Sequence, residues 1–140
     1  MVQTEVIIEI FINSYVSNYH MSISSIFKHE HSGISEKEVY GAYKIFFGTL
    51  VSESRLKIIN LLRKGRKNVS EIMKETGINQ TAVSHDLARL KRCGFVVSEN
   101  KGKFRYYKLN EKTIKPLMEL IDKHMSEFCI HILKTERRKR

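Results

Sequence analysis

The order of patterns in the second half of the chain is the feature that most restricts its fold. A short helical pattern (71–76) is followed by Gly77, by a second helical pattern that starts after Asn79, and by two β-rich runs around Asn100-Lys101-Gly102. Ser70 and Asn79 can cap the two helices, and Gly77 allows the turn between them. The run Asn-Lys-Gly is typical of a β-hairpin. This order predicts a winged helix-turn-helix.

Helical patterns also flank this segment. Ser35 and Glu38 have the spacing of a capping box and open a helix that continues to Leu50. A further helix starts near Ser52, and a last one starts near Thr113 and runs into the 130s. The fold class is therefore expected to be mostly α with a small β-hairpin.

We expect three segments along the chain. The apolar positions between residues 2 and 19 favour an extra N-terminal helical segment within residues 1–34. Residues 35–134 would form the winged helix-turn-helix domain with its C-terminal helix. Residues 135–140 would form a basic tail.

The charge of the chain indicates the class of partner. Its 140 residues have a formal net charge of +10, and the first 34 contain only one basic side chain against three acidic ones. A domain as basic as the remainder attracts polyanions. The sequence has no apolar run near the roughly 20 residues that span a bilayer. With no charged n-region of a secretory signal and only two cysteines, the chain is expected to be cytoplasmic, without a membrane partner.

The second helix of the motif, 80–92, has two different faces. Val83, Leu87 and Leu90 project as a buried stripe. The opposite face is small and hydrogen-bonding near its N-terminus and basic near its C-terminus. Short side chains let a helix approach base edges in a major groove, and arginines hold the flanking phosphates. The outward residues are Thr81, Ser84, His85, Arg89 and Arg92.

Two further details concern this helix and the hairpin. Asp86 projects nearer the buried stripe than the groove face, so we expect it to pair within the protein. In the hairpin, the basic residues Lys101, Lys103 and Arg105 would contact phosphate or the minor groove, while Phe104 and Tyr106 would pack on the body. The alternatives are an ordinary solvated helix face and a charged edge hairpin that only prevents aggregation.

Three stretches together resemble the ArsR/SmtB family of winged-helix repressors over residues 40–130. They are "IFFGTLVSESRLKIINLL", "VSEIMKETGINQTAVSHDLARLKRCGFV" and "GKFRYYKL". The resemblance implies a homodimeric transcription regulator whose first and last helices form the dimer interface. It implies DNA contacts at Gln80, Thr81, Ser84 and His85. Ser52-Glu53-Ser54-Arg55 departs from the family's frequent Asp-Pro-Thr-Arg, and Asp86 stands where His or Lys is common.

The last helix carries apolar residues at alternating spacings of four and three. Such a heptad seam favours helix pairing, most simply between two subunits, although it could instead dock on its own domain. The seam consists of Ile114, Met118, Ile121, Met125, Phe128 and Ile132.

Possible metal ligands flank this seam. His124, Cys129 and His131 could bind Zn²⁺ across a dimer, or they could simply pack at the interface. Asp122-Lys123-His124 is similar to the first half of the family's metal-sensor pattern, but Lys134 stands where its second half would begin. His29-Glu30-His31 is a second possible ligand group, and a redox role of Cys93 or Cys129 is a weaker alternative.

The sequence thus predicts a sequence-specific DNA-binding transcription regulator, a repressor that acts as a homodimer on double-stranded DNA. A Zn-responsive repressor, an RNA-binding winged-helix protein and a protein-interaction adaptor are the alternatives. No nucleophile motif or phosphate loop organises the Ser, His and Asp residues, so we expect no enzyme and no small-molecule substrate.

Overall fold

A computed structural model of the chain describes residues 34–138. The helix expected within residues 1–34 and the His29-Glu30-His31 group lie outside the described residues. The chain divides into two units, residues 1–43 and residues 44–140.

Helices dominate the described residues, and a small antiparallel sheet with strand order β1-β3-β2 accompanies them. This confirms the predicted fold class. The elements are α1 (Glu36–Leu50), α2 (Glu53–Leu62), β1 (Lys67–Asn68), α3 (Val69–Thr76), α4 (Gln80–Arg92), β2 (Val96–Lys101), β3 (Phe104–Leu109), α5 (Ile114–His124), a π-helical turn (Met125–Cys129) and α6 (Ile130–Arg137). α6 therefore includes the first residues of the predicted basic tail.

In the first unit, α1 begins with the predicted capping box. The Ser35 N–H donates to Glu38 Oε2 at 2.7 Å, and the Glu38 N–H donates to Ser35 Oγ at 3.4 Å. The hydrogen bonds from the backbone and the hydroxyl of Ser35 lower the pKa of Glu38 below its usual range. Two orphan donors at the helix start are thereby satisfied reciprocally.

The first helix of the motif starts earlier than predicted. Asn68, rather than Ser70, caps α3: its Oδ1 accepts from the Glu71 N–H at 3.0 Å, and Glu71 Oε2 accepts from the Asn68 N–H at 2.8 Å. This reciprocal pair places the cap two residues before Ser70. Gly77 ends α3 with φ 72°, a left-handed conformation that favours glycine, as predicted.

The core of the second unit lies between α2, α3, α4, the sheet and the start of α5. Val83, Leu87 and Leu90 are buried in it, which confirms the predicted stripe of α4. Phe95, the third residue after α4, is fully buried, and its ring centroid lies 5.0 Å from that of Phe46. The buried apolar set is Ile58, Ile59, Leu61, Leu62, Ile72, Val83, Leu87, Leu90, Phe95, Val96, Leu109, Ile114 and Met118.

The hairpin turn lies later than predicted. Lys101 pairs with Phe104, so Asn100 and Lys101 belong to β2 and the turn consists of Gly102 and Lys103. Gly102 has φ 60°, the positive φ that a tight two-residue turn needs. Strand β1, in which Lys67 and Asn68 pair with β3, was not predicted.

The prediction that Phe104 and Tyr106 pack on the body is wrong. Tyr107 and Leu109 contact the core instead, because alternate residues of β3 point to opposite faces. Phe104 is 47% exposed. We call the face with Phe104, Tyr106 and Lys108 the outer face of the hairpin.

The seam of the last helix divides into two parts. Ile114 and Met118 are only 3% exposed and belong to the chain's own core, and Ile121 packs against that core. In this single chain Ile114 and Met118 fill the domain core rather than a free surface, and their part in a dimer interface stays a prediction. Met125, Phe128 and Ile132, from the π-helical turn onward, are exposed.

The π-helical turn was not predicted. Its wider turn shifts the phase of every following residue relative to a continuous α-helix, so a regular heptad spacing does not give a straight stripe here. Within residues 34–138, no helix is both long and apolar enough to cross a membrane.

Candidate nucleic-acid interface

The start of α4 is defined by its cap. Asn79 has an extended conformation, and its Oδ1 accepts the Ala82 N–H at 2.9 Å, as predicted. The turn at Gly77 and this cap together hold α4 at a fixed angle to α3, while the first turn of α4 is left open at the surface.

The outward face of α4 is free to contact a ligand. Gln80, Thr81, Ser84 and His85 are exposed, and the side chain of His85 is 81% exposed. Within residues 34–138, the side chains of Gln80, Thr81 and Ser84 form no hydrogen bond with another side chain or the backbone. His85 Nδ1 lies 3.9 Å from Asp86 Oδ1, which is a weak contact.

A basic cleft continues this face toward the end of α4. It has a volume of about 430 Å³ and is lined by Arg55, His85, Ala88, Arg89 and Arg92. Arg92 is exposed, whereas Arg89 is half-buried and its Nε donates to Thr49 Oγ1 at 3.4 Å. The exposed Arg92 and the half-buried Arg89 give this cleft a positive charge that suits an anion such as a backbone phosphate.

Arg55 was not among the site residues predicted from the sequence, although its contacts link the elements on either side of the cleft. Its Nε donates to the Thr49 carbonyl at 2.7 Å, and its Nη2 donates to the Gly48 carbonyl at 3.0 Å. Its Nη1 forms an ion pair with Asp86 Oδ1 at 3.3 Å. One guanidinium therefore connects the end of α1 to α4.

Asp86 pairs within the protein, as predicted. It is only 5% exposed, and besides Arg55 it accepts a hydrogen bond from Ser54 Oγ at 2.5 Å. Ser54 and Arg55 lie in the first turn of α2, so Asp86 fixes α4 to that turn. The side chain of Asp86 is thus almost completely withdrawn from solvent.

The hairpin contributes a second group of cations. Lys101, Lys103 and Arg105 are all exposed at or next to the turn. Lys103 Nζ lies 5.3 Å from the centre of the Phe104 ring, and Arg105 Nε donates to Asn100 Oδ1 at 3.3 Å. The positive charge predicted for the tip of the hairpin is therefore accessible.

The predicted metal ligands do not converge within one chain. Among residues 34–138, no three His, Cys, Asp or Glu side chains come close enough together to hold a metal ion. The His124 ring packs on Phe128 with centroids 4.9 Å apart, and Cys129 is a free thiol. Asp122 instead forms an ion pair with Arg63 at 2.7 Å. A site assembled from two chains stays a prediction.

The part of the chain that contains α2 and the helix-turn-helix matches known proteins. The family described as "Bacterial regulatory protein, arsR family" matches residues 52–98. The chain is 31% identical over 85 residues to the HTH-type transcriptional regulator Rv0324 of Mycobacterium tuberculosis. This match covers 58% of this chain and 38% of Rv0324. It is 30% identical over 69 residues to the transcriptional repressor SdpR of Bacillus subtilis, covering 49% of this chain and 77% of SdpR.

A solved structure resembles the fold over a longer stretch. It is the solution structure of the homodimeric winged helix-turn-helix DNA-binding domain of Mb0332 from Mycobacterium bovis, a possible ArsR-family regulator. The similarity has a TM-score of 0.63 at 27% identity and covers 71% of this chain and 94% of that one.

The matches cover different shares of the related proteins. The chain spans 38% to 60% of the length of the first three curated relatives that it matches. The family match nevertheless includes α2, the helix-turn-helix and the first residues of β2, and the match to SdpR covers most of that protein. The chain belongs to the ArsR family of bacterial regulatory proteins.

Proposed function

We propose that this chain is a sequence-specific DNA-binding transcription regulator rather than an enzyme. In this proposal α4 enters the major groove, and the hairpin of β2 and β3 contacts the DNA backbone. The outward face of α4 carries the proposal, because it combines small, unpaired polar side chains at its start with a basic cleft at its end. Short polar side chains permit a close approach to base edges, and the cleft suits a phosphate.

We propose that the regulator acts as a homodimer and represses transcription. Two observations support the dimer: Met125, Phe128 and Ile132 are exposed apolar residues on one helical segment, and Mb0332 is described as homodimeric. Two copies of α4 would then read two half-sites of one operator. The name of SdpR, a repressor, supports the sign of regulation.

The base-reading role of α4 predicts a loss of specificity. Ser84→Ala and His85→Ala should each weaken binding to the preferred duplex more than binding to a scrambled duplex. The difference between the two losses of binding free energy should be about 1–3 kcal/mol. The preferred duplex can be obtained by selection from a random-sequence library, and both affinities measured by fluorescence anisotropy. Equal losses on the two duplexes would contradict base reading by these residues.

If the hairpin contacts DNA phosphates, removing one of its cations should change the salt dependence of DNA binding. Lys103→Ala and Arg105→Ala should weaken binding to every duplex and reduce the slope of log K against log salt concentration by about 1 each. Lys57→Ala is the matched control, because Lys57 is exposed on α2 and is paired with Glu53. A slope that stays at the wild-type value would rule out a phosphate contact at these positions.

The alternatives differ in what they bind. An RNA-binding protein would prefer a structured RNA to duplex DNA in direct competition, and an adaptor would show no affinity for either nucleic acid. For the Zn-responsive alternative, the decisive comparison is operator binding with and without a chelator. No contact among the described residues favours that alternative over metal-independent binding.

A further inference from the structure

The tip of the hairpin presents an apolar ring as well as positive charge. Phe104 directly follows the turn and is 47% exposed, although the cations Lys101 and Lys103 are its neighbours and Arg105 follows it on the opposite face of the hairpin. Its ring is not part of the core, since Tyr107 and Leu109 fill the core-facing side of β3. Contact with phosphates does not require an aromatic ring, because the three cations supply that contact by themselves.

The ring of Phe104 is held in place by a row of contacts along the outer face. Lys103 Nζ lies 5.3 Å from the Phe104 ring centre, and the Tyr106 ring packs edge-on against Phe104 with centroids 6.5 Å apart. The Arg66 guanidinium lies 5.4 Å over the Tyr106 ring and is paired with Glu99 at 2.7 Å. A side chain that is already ordered loses less conformational entropy when it binds.

Glu99 is the carboxylate that pairs with Arg66 on the outer face of the hairpin. The hydrogen bond from Arg66 lowers the pKa of Glu99 below its usual range, so the carboxylate stays charged near neutral pH and offsets the charge of Arg66. Among the described residues, Lys101, Lys103 and Arg105 form no ion pair with a carboxylate, and the same holds for Lys108 on the outer face. Lys101 and Lys103 therefore place unpaired positive charge beside the exposed ring.

We propose that Phe104 inserts into the minor groove of the duplex and bends it, an inference that rests on the proposed function. The minor groove offers apolar surface from the sugars, and its negative potential attracts the neighbouring cations. Proteins that bend DNA from the minor groove do so with apolar side chains of this kind, which partly unstack one base step. The hairpin therefore adds shape readout to the base readout by α4.

The inference predicts a loss of affinity without a loss of salt dependence. Phe104→Ala should weaken binding to the selected duplex at least about fivefold. The slope of log K against log salt should stay at the wild-type value, because no charge is removed. Phe104→Leu, which keeps a bulky apolar side chain, should retain most of the affinity. Val97→Ala is the matched control, because Val97 is 42% exposed and lies on the same face at the far end of the hairpin.

Bending is the direct readout. With dyes at the two ends of the selected duplex, energy transfer should increase on binding of the wild type and of Phe104→Leu, and much less on binding of Phe104→Ala. Unchanged affinity and bending in Phe104→Ala would overturn the inference, as would a fall in its salt slope equal to that of Lys103→Ala. An equal loss on single-stranded DNA of the same sequence would also overturn it, because the ring would then stack on bases of single strands.

The same data separate this inference from the proposed function. If Phe104→Ala binds and bends like the wild type while Ser84→Ala still loses specificity, only the minor-groove contact is wrong. If the wild-type chain does not bind duplex DNA at all, the proposed function itself is wrong.

Discussion

Replacing Asp86 with alanine is expected to lower the free energy of unfolding by about 3 kcal/mol. The Asp86 side chain is 7% exposed and that of Arg55 is 17% exposed, so the change leaves a largely buried guanidinium without its carboxylate. Ser54 loses its acceptor at the same time. The Thr49 and Gly48 carbonyls still accept from Arg55, which keeps the loss at the lower end for a broken buried ion pair.

Chemical denaturation at one fixed protomer concentration measures this loss, since the stability of a dimer depends on concentration. Glu53→Gln is the control, because the pair of Glu53 with Lys57 is mostly exposed and should contribute at most about 0.5 kcal/mol. Asp86→Asn, which keeps a hydrogen-bond acceptor, should lie between the two. A loss in Asp86→Ala as small as that of the control would show that Asp86 does not anchor α4.

Replacing Phe95 with alanine is expected to cost about 3–5 kcal/mol. Phe95 is fully buried and stacks near Phe46, and it joins α4 to β2 after Gly94. Its N–H donates to the Leu90 carbonyl at 2.9 Å, and its carbonyl accepts from the Asn110 N–H at 2.9 Å. A cavity here would loosen the connection between α4 and the hairpin.

Two variants calibrate this prediction in the same denaturation experiment. Phe95→Leu keeps most of the apolar volume and should cost about 1.5 kcal/mol or less. Phe104→Ala removes an exposed ring of the same type and should change stability by no more than about 0.5 kcal/mol. Phe95→Ala variants that unfold at the same denaturant concentration as Phe104→Ala would contradict the role of this ring in the core.

The helix-turn-helix could be predicted because its local signals all agree. Val83, Leu87 and Leu90 repeat at helical spacing, Gly77 takes the left-handed turn, and Asn79 caps α4. The inward position of Asp86 followed from the same helical projection. Where spacing, capping residues and turn residues all indicate one conformation, a single sequence is sufficient to predict that conformation.

Other elements depend on contacts that are distant in the chain. β1 is only two residues long, and Lys67 and Asn68 show no alternation that would indicate a strand. They become a strand because β3 provides partners about 40 positions later. The start of α3 was misplaced because both Asn68 and Ser70 are good caps, and only Asn68 forms the reciprocal pair with Glu71.

The heptad seam shows a different limit. Apolar spacing indicates that a helix packs on something, but it does not identify the partner. Ile114 and Met118 pack in their own domain, and the exposed residues of the seam lie from the π-helical turn onward. Arg55 was missed for a related reason: its acceptors lie on α1 and α4, and nothing in its local sequence reveals them.

The contact between Ser54, Arg55 and Asp86 also constrains how this chain can evolve. Both Ser54 and Asp86 lie where the sequence departs from the usual family pattern, and in the structure the two departures touch each other. A single change of Asp86 to lysine, a common residue at that position in the family pattern, would set a second cation against Arg55. The fold should tolerate such a change only if Ser54 or Arg55, at the start of α2, changes as well. We therefore expect these positions to covary among close relatives, so that a residue harmless in one member of the family is harmful in another.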